Sequence, residues 1–254
     1  MPYQFATENK DYSDYASGRV FYAAPGHPAF PVRLVSEIFQ RCQALRSKNG
    51  LSGPVVLYDP CCGSAYHLST LAYLHWAEID TIIGSDIDAD ILMVAARNLG
   101  LLTPEGLEKR IEEIAVLLNL YDKPSHMAAA NSARQFKQQL SAYTPIHPIQ
   151  TLLFQADSTD SPQITRGLEG RQIDIVLADV PYGKMSNWQS SEPATTAKDE
   201  SFLEKMLGAL SPTLSSSAII AIASDKGQKC AHPQYRRVGR FHIGKRQVTL
   251  LQPA

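Results

Sequence analysis

Cysteine is scarce in this chain of 254 residues: Cys42, Cys61, Cys62 and Cys230 are the only four, and two of them are adjacent. Their spacing shows no repeat, so neither a disulfide framework nor a zinc site is expected, and a reducing cytoplasm is the simplest home. Long apolar runs are missing as well. None exceeds six residues, the length of Ala218 to Ala223, whereas a membrane-spanning helix needs roughly 20. The opening MPYQFATENK lacks the basic-then-apolar layout of a secretory leader. No internal repeat and no low-complexity tract is present. Neither sign of charge dominates, with a formal net charge of −1. With 44% hydrophobic and 19% charged residues, the composition excludes disordered, collagen-like and coiled-coil classes and leaves a globular chain with a sizeable core. The length suits one domain over 1–254, and a monomer is expected.

The charge is unevenly spread. Seven basic residues follow Ser224–Asp225, namely Lys226, Lys229, Arg236, Arg237, Arg240, Lys245 and Arg246, and all 25 acidic residues precede them. A cationic tail on an acidic body attracts polyanions. A solvated pair of strands with charged outer faces reads the same way, and charge alone does not separate the two.

Residues 1–30 read as irregular. Pro31 opens a first helix, whose stripe is Val35, Ile38, Phe39 and Cys42. Next, five short apolar runs each end in aspartate: Val55–Asp59, Ile82–Asp86, Leu152–Asp157, Ile175–Asp179 and Ile219–Asp225. Uninterrupted apolar runs of this length suit strands buried on both faces. Helical stripes lie between several of them. The expected fold is therefore α/β, an open, doubly wound, mostly parallel sheet, with the aspartates gathered on the rim where such sheets bind ligands. Residues 104–143 break the alternation and read as a two-helix insertion. Thr103–Pro104 caps its first helix, and Ser125 is the expected cap of a second running to about Leu140. Extra packing area is favoured for the insertion over a substrate guide built on Lys109, Arg110, Arg134 and Lys137. The chain closes with a hairpin, Arg236 to Ile243 and Arg246 to Leu251, turning at Gly244. The polar stretch from Ser190 to Asp199 reads as a mobile loop.

Candidate chemistry begins at Asp59-Pro60-Cys61-Cys62-Gly63-Ser64, between the first strand and a helix. A dinucleotide site there would need several glycines so that backbone amides reach a pyrophosphate; only Gly63 is present, and Asp59 would repel the phosphates. A phosphate-free, cationic nucleoside such as S-adenosylmethionine suits the loop better, with Gly63 permitting close approach and Cys61, Cys62 and Ser64 small enough not to block it. Asp86, 23 residues after Gly63, is placed to accept from both ribose hydroxyls. Asp88 is a candidate helix cap. Asp157 suits an adenine amino group, or a simple turn. The fourth strand ends Asp179-Val180-Pro181-Tyr182, similar to the (Asn/Asp/Ser)-Pro-Pro-Tyr signature of amino-group methyltransferases. There a carboxylate and a carbonyl accept the protons of a planar amine while the ring stacks on the base, worth about 1–3 kcal/mol.

With these residues placed, the chain resembles the AviRa family of 23S ribosomal RNA methyltransferases, within the class I S-adenosylmethionine-dependent methyltransferases. The likeness rests on GHPAFPVRLVSEIFQR, DPCCGSAYHL, SDIDADIL with AARNL, the inserted helices, DVPYG with Trp188, and the IGKRQ turn. It implies a seven-stranded sheet ending in a hairpin, methylation of a guanine in 23S ribosomal RNA or the large ribosomal subunit, and resistance to orthosomycin antibiotics. It also implies a cofactor site lined by Asp59, Cys61, Gly63, Ser64, Asp86, Ile87, Asp157 and Asp179. Arg33, near Phe30, would sit at the methionine carboxylate. Asp179, Pro181 and Tyr182 would be catalytic, aided by the Val180 carbonyl, with Lys184, Trp188 and the basic tail on RNA. No metal and no membrane enter this scheme. Val180 departs from the broad signature, and Ala65 stands where many relatives carry glycine, which implies a tighter loop. Two rivals remain: methylation of adenine in nucleic acid or of a protein glutamine by the same clamp, and a non-catalytic RNA-binding module.

Overall fold

The structure, a computed structural model, describes residues 3–26, 28–145, 147–180, 202–226, 228 and 230–254. Their strands form a seven-stranded sheet in the order β3-β2-β1-β4-β5-β7-β6. β1 (Val55–Asp59), β2 (Ile79–Asp86), β3 (Gln150–Gln155), β4 (Ile173–Asp179) and β5 (Leu214–Asp225) carry the five apolar runs and pair in parallel. Each sheet face is covered, which is why alternate residues on either side are equally apolar. Leu57 and Ile175 pack into one core with α1 (Val32–Lys48), α2 (Tyr66–Leu74) and α3 (Ala89–Gly100). Their neighbours Tyr58 and Val176 pack into a second core with α6 (Ser161–Gly167) and α7 (Phe202–Leu210).

β1 and β4 meet over a short ladder, Leu57 opposite Ile175 and Tyr58 opposite Val176. Beyond it the two strands carry Asp59 and Asp179, at the point where the winding of the sheet reverses. A crevice at such a switch point is the usual ligand site of an open α/β sheet.

The expected helix signals hold at most positions. Pro31 is the N-cap of α1, and Val35, Ile38, Phe39 and Cys42 are buried. Asp88 caps α3, accepting from the amides of Asp90 and Ile91 at 2.8 and 3.4 Å. Thr103 caps α4 (Pro104–Tyr121), accepting from Gly106 N–H at 3.1 Å. The second inserted helix differs from expectation. α5 is Pro124–Tyr143, entered through Lys123 without a side-chain cap. Ser125 lies inside its first turn because Pro124, which has a fixed φ and no N–H to satisfy, takes the first position. A further difference is α6, a short helix the sequence reading did not assign.

The insertion is a packing element. Phe136 of α5 packs on Tyr15, Phe21 and Tyr73 with centroids 5.2, 5.4 and 4.5 Å apart. Arg110 of α4 is buried and donates to the carbonyls of Val20 and Arg19, while Lys137 pairs with Glu108 and Arg134 with Asn131. The irregular N-terminal segment is thus built into the core. The chain ends in antiparallel β6 (Tyr235–Ile243) and β7 (Arg246–Pro253), with Gly244 at φ +60° in the turn. A register shift between Arg237 and Gly239 places a bulge at Val238, and β7 inserts between β5 and β6.

Candidate active site

The loop from β1 to α2 is wound inward. Cys61 N–H donates to Asp59 Oδ1 at 2.8 Å, Cys62 N–H to the Ser85 carbonyl at 2.9 Å, Gly63 N–H to Asp86 Oδ2 at 2.8 Å and Ala65 N–H to the Cys62 carbonyl at 2.8 Å. Gly63 and Ala65 both take left-handed backbone, at φ +52° and +53°. That conformation costs a non-glycine residue about 1–2 kcal/mol, so Ala65 makes this a strained turn. With these amides committed to protein acceptors, the loop has little left to cradle a pyrophosphate. The donor set fits a ligand without phosphate.

Asp59 is not at the lip, as the sequence suggested, but wholly buried. Its Oδ2 lies 2.7 Å from Nε2 of His67 on α2. Neither atom makes a well-directed hydrogen bond there, so the pair is a close polar contact rather than an aligned bond. Asp59 therefore acts on the loop, through the Cys61 amide. His67 is the residue sequence reasoning missed; its signal was its position eight residues after Asp59, in the first turn of the helix that the loop feeds.

Asp86 does sit at the rim, half-buried. Its Oδ1 accepts from Asp88 N–H at 3.1 Å while Oδ2 holds Gly63. Cys61, Gly63, Ser64 and Ile87 are half-exposed beside it. Asp157 is buried, its Oδ1 accepting from the amide and hydroxyl of Thr159 at 2.8 and 2.7 Å; this is the turn geometry the sequence allowed as the alternative. Burial pushes the Cys61 and Cys62 thiols well up, and the carboxylates of Asp59 and Asp86 push in the same direction. Both cysteines are thus neutral thiols rather than nucleophiles. Asp157 also raises Cys61, so the field of three carboxylates converges on this loop.

Arg33 is not part of this group. Its Nε and Nη2 donate to the carbonyls of Ala6 and Thr7, both at 2.9 Å, and its guanidinium lies over the Tyr3 ring at 4.1 Å. Through these contacts it holds the N-terminal segment.

Asp179 ends β4, partly exposed, across the crevice. Val180 is buried and donates its N–H to the Ala223 carbonyl at 3.1 Å, extending the β4–β5 ladder. The carboxylate Oδ1 of Asp179 lies 3.9 Å from Nε of Arg246, the first residue of β7. The Arg246 guanidinium lies over the Phe30 ring at 4.8 Å, and Phe30 in turn contacts His67 at 6.1 Å. A chain of contacts thus links the buried Asp59, His67 and Phe30 to the partly exposed Arg246 and Asp179 at the strand ends. Pro181, Tyr182, Lys184, Trp188 and the loop from Ser190 to Asp199 lie outside the described residues.

A family described as rRNA methyltransferase AviRa matches residues 1–246. The chain belongs to the AviRa family. A 23S rRNA (guanine(2535)-N(1))-methyltransferase of Streptomyces viridochromogenes is 38% identical over 252 residues, covering 99% of this chain and 96% of that one. Two solved structures of the AviRa rRNA methyltransferase from the same organism, 37% and 35% identical, each superpose with a TM-score of 0.86 over 99% of this chain and 96% of theirs. As an AviRa-family protein the chain is an rRNA methyltransferase, and methyltransferases of this fold use S-adenosylmethionine. The seven-stranded α/β sheet with its antiparallel end is that of the AviRa structures.

Proposed function

We propose that this protein methylates N1 of a guanine in 23S ribosomal RNA, at the crevice between Asp86 and Asp179, with the whole chain acting as one methyltransferase domain in the cytoplasm. The observation that carries this reading is the switch-point crevice itself: an inward-wound, phosphate-averse loop tied to Asp86 on one side, and a partly exposed carboxylate at the end of β4 on the other. The printed activity of the 38% identical relative supports the choice of guanine N1.

Asp86 would hold the ribose of the cofactor, with Cys61, Gly63, Ser64 and Ile87 forming the surface against it. Asp59 and His67 would fix that surface from behind, and Asp157 would shape the adenine end through its turn. S-adenosylmethionine supplies an electrophilic methyl group on a sulfonium, so no metal is called for. Asp179 would accept the guanine N1–H, orient the ring and take the proton. Pro181 and Tyr182 would follow it, stiffening the turn and stacking on the base. Positioning of this kind supplies up to about 7–11 kcal/mol in well-aligned reactions. Arg236, Arg237 and Arg240 on the edge strand β6 would hold RNA phosphates, and a paired target would have to be extruded. Resistance to an orthosomycin antibiotic would follow where the methyl blocks the drug on the ribosome.

The test is incubation of the protein with unmodified 23S ribosomal RNA and labelled cofactor, followed by mass spectrometry of the nucleosides. Label in 1-methylguanosine supports the proposal. Label in an adenine or in a protein glutamine would favour the rival enzyme readings, and cofactor binding without any transfer would favour the non-catalytic module.

A further inference from the structure

Asn98 stands in the AARNL segment of α3 and is wholly buried, although its side chain is polar. We infer that Asn98 is a positioning residue for the cofactor: its carboxamide pins the Ser64–Ala65 peptide of the β1–α2 loop and ties that loop to Tyr22 of the N-terminal segment. The inference rests on the reading of this loop as the surface against S-adenosylmethionine.

The contacts use the whole carboxamide. Its Oδ1 accepts from Tyr22 N–H at 2.8 Å, and its Nδ2 donates to the carbonyls of Tyr22 at 3.0 Å and Ser64 at 2.9 Å. An acceptor and two donors on one planar group is a set that only Asn and Gln carry, and Gln is a methylene longer.

The Ser64 carbonyl and the Ala65 N–H belong to one peptide unit. Asn98 holds its oxygen, and the Cys62 carbonyl accepts from its N–H at 2.8 Å. A planar peptide held at both ends cannot rotate without giving up both bonds. Its orientation sets the φ of Ala65 at +53°, left-handed backbone that a residue with a Cβ adopts only at a cost. Gly63, just before Ser64, is left-handed too, at +52°. Asn98 thus keeps an unfavourable turn closed beneath Cys61, Gly63 and Ser64.

The other end of the clasp is itself fixed. The Tyr22 hydroxyl donates to Glu113 Oε2 at 2.9 Å, and the guanidinium groups of Arg97 and Arg110 lie 3.7 and 4.3 Å from its ring centre. Arg110 and Glu113 are on α4, so the clasp joins the loop to the inserted helix as well as to α3. Loop and N-terminal segment share one hydrogen-bonded group, and what orders one orders the other.

The experiment is calorimetry with S-adenosylmethionine on the full chain, in a double-mutant cycle of Asn98→Ala and Ala65→Gly. Thermal melts and affinity for 23S ribosomal RNA are measured for each protein. With Ala65 in place, Asn98→Ala is expected to weaken cofactor binding about tenfold, the effect of one buried hydrogen bond lost. In the Ala65→Gly background, where left-handed backbone carries no steric penalty, the same change is expected to cost about threefold or less. RNA affinity is expected to stay within about twofold of wild type. An equal loss in both backgrounds, a matching loss of RNA affinity, or a lowered melt with cofactor affinity unchanged overturns the inference; Asn98 is then a packing residue alone. Hydrogen exchange of the wild type decides the matter if Asn98→Ala does not fold. Saturating cofactor is expected to slow exchange of the Tyr22 amide together with that of Ala65, and protection at Ala65 with none at Tyr22 overturns the inference. If the wild type binds the cofactor and the cycle shows no coupling, only the Asn98 assignment fails. If the wild type does not bind S-adenosylmethionine, or binds it without protecting the loop amides, the underlying reading of the loop fails with it.

Discussion

Single residues at the crevice carry separable tasks, and substitution tests them one at a time. Asp179→Ala removes the proton acceptor and is expected to lower transfer by about 10²–10⁴-fold while leaving cofactor binding intact; unchanged turnover would refute the role. Asp86→Ala removes charged hydrogen bonds worth about 1.5–3 kcal/mol. Calorimetry should then show cofactor affinity reduced tenfold or more, whereas binding at wild-type strength would place the ribose elsewhere. His67→Ala removes the polar group beside the buried Asp59 carboxylate, whose remaining partner among the described residues is the Cys61 amide, and losing such a neighbour of a buried polar group is expected to cost about 1–3 kcal/mol. A melt matching wild type would show that the 2.7 Å contact contributes nothing. The caps Asp88 and Thr103 were read correctly because their partners lie two or three residues away in the chain. Asp59, expected at the lip, is buried, and Arg33 is tied to carbonyls of the N-terminal segment 26 and 27 residues away, placements that strand-end position and helix phase do not encode.

Among the elements, α1 ties the N-terminal segment to the sheet. Glu37, buried in the middle of its helix turn, accepts from the amides of Gln4, Phe5 and Ala6 at 2.7, 2.9 and 2.8 Å and from Arg41 at 2.7 Å. Arg41 in turn lies over Phe241 of β6 at 4.0 Å. Burial alone would raise the Glu37 carboxyl, but these donors outweigh it and hold the group below its usual range. A lowered carboxyl contributes stability that is present above its unfolded value and lost as pH falls through the folded one. Glu37→Gln is therefore expected to lower stability by about 1–3 kcal/mol at neutral pH, with the gap between wild type and variant closing in acid. A gap that is constant with pH would mean packing, not charge, anchors the segment. The inserted helices α4 and α5 were legible as amphipathic, and their packing role follows from Phe136 and the buried Arg110. α6 was missed because seven residues with one buried apolar position, Ile164, give no periodicity to read.

For the whole molecule, topology does the assembling. Five parallel strands bring carboxylates from distant parts of the chain to one rim, and the antiparallel β7 returns Arg246 to the same rim from the far end of the sequence. The first arrangement was visible in the repeated apolar-run-then-aspartate pattern. The second was not, because in the sequence Arg246 is one of seven tail cations, and only the β5–β7 register sets it opposite Asp225 and near Asp179. If the β6 arginines hold phosphates, replacing Arg237 and Arg240 by Ser should reduce the slope of RNA affinity against salt by about one for each lost contact; an unchanged slope would place the RNA on another face. The central claim, that the crevice between Asp86 and Asp179 delivers a methyl to guanine N1 of 23S ribosomal RNA, is tested most directly by nucleoside mass spectrometry after reaction with the wild-type protein and with Asp179→Ala. The account predicts 1-methylguanosine with the first and, at equal reaction time, about 10²–10⁴-fold slower formation with the second. A methyl on any other atom, or equal product from both, would contradict it.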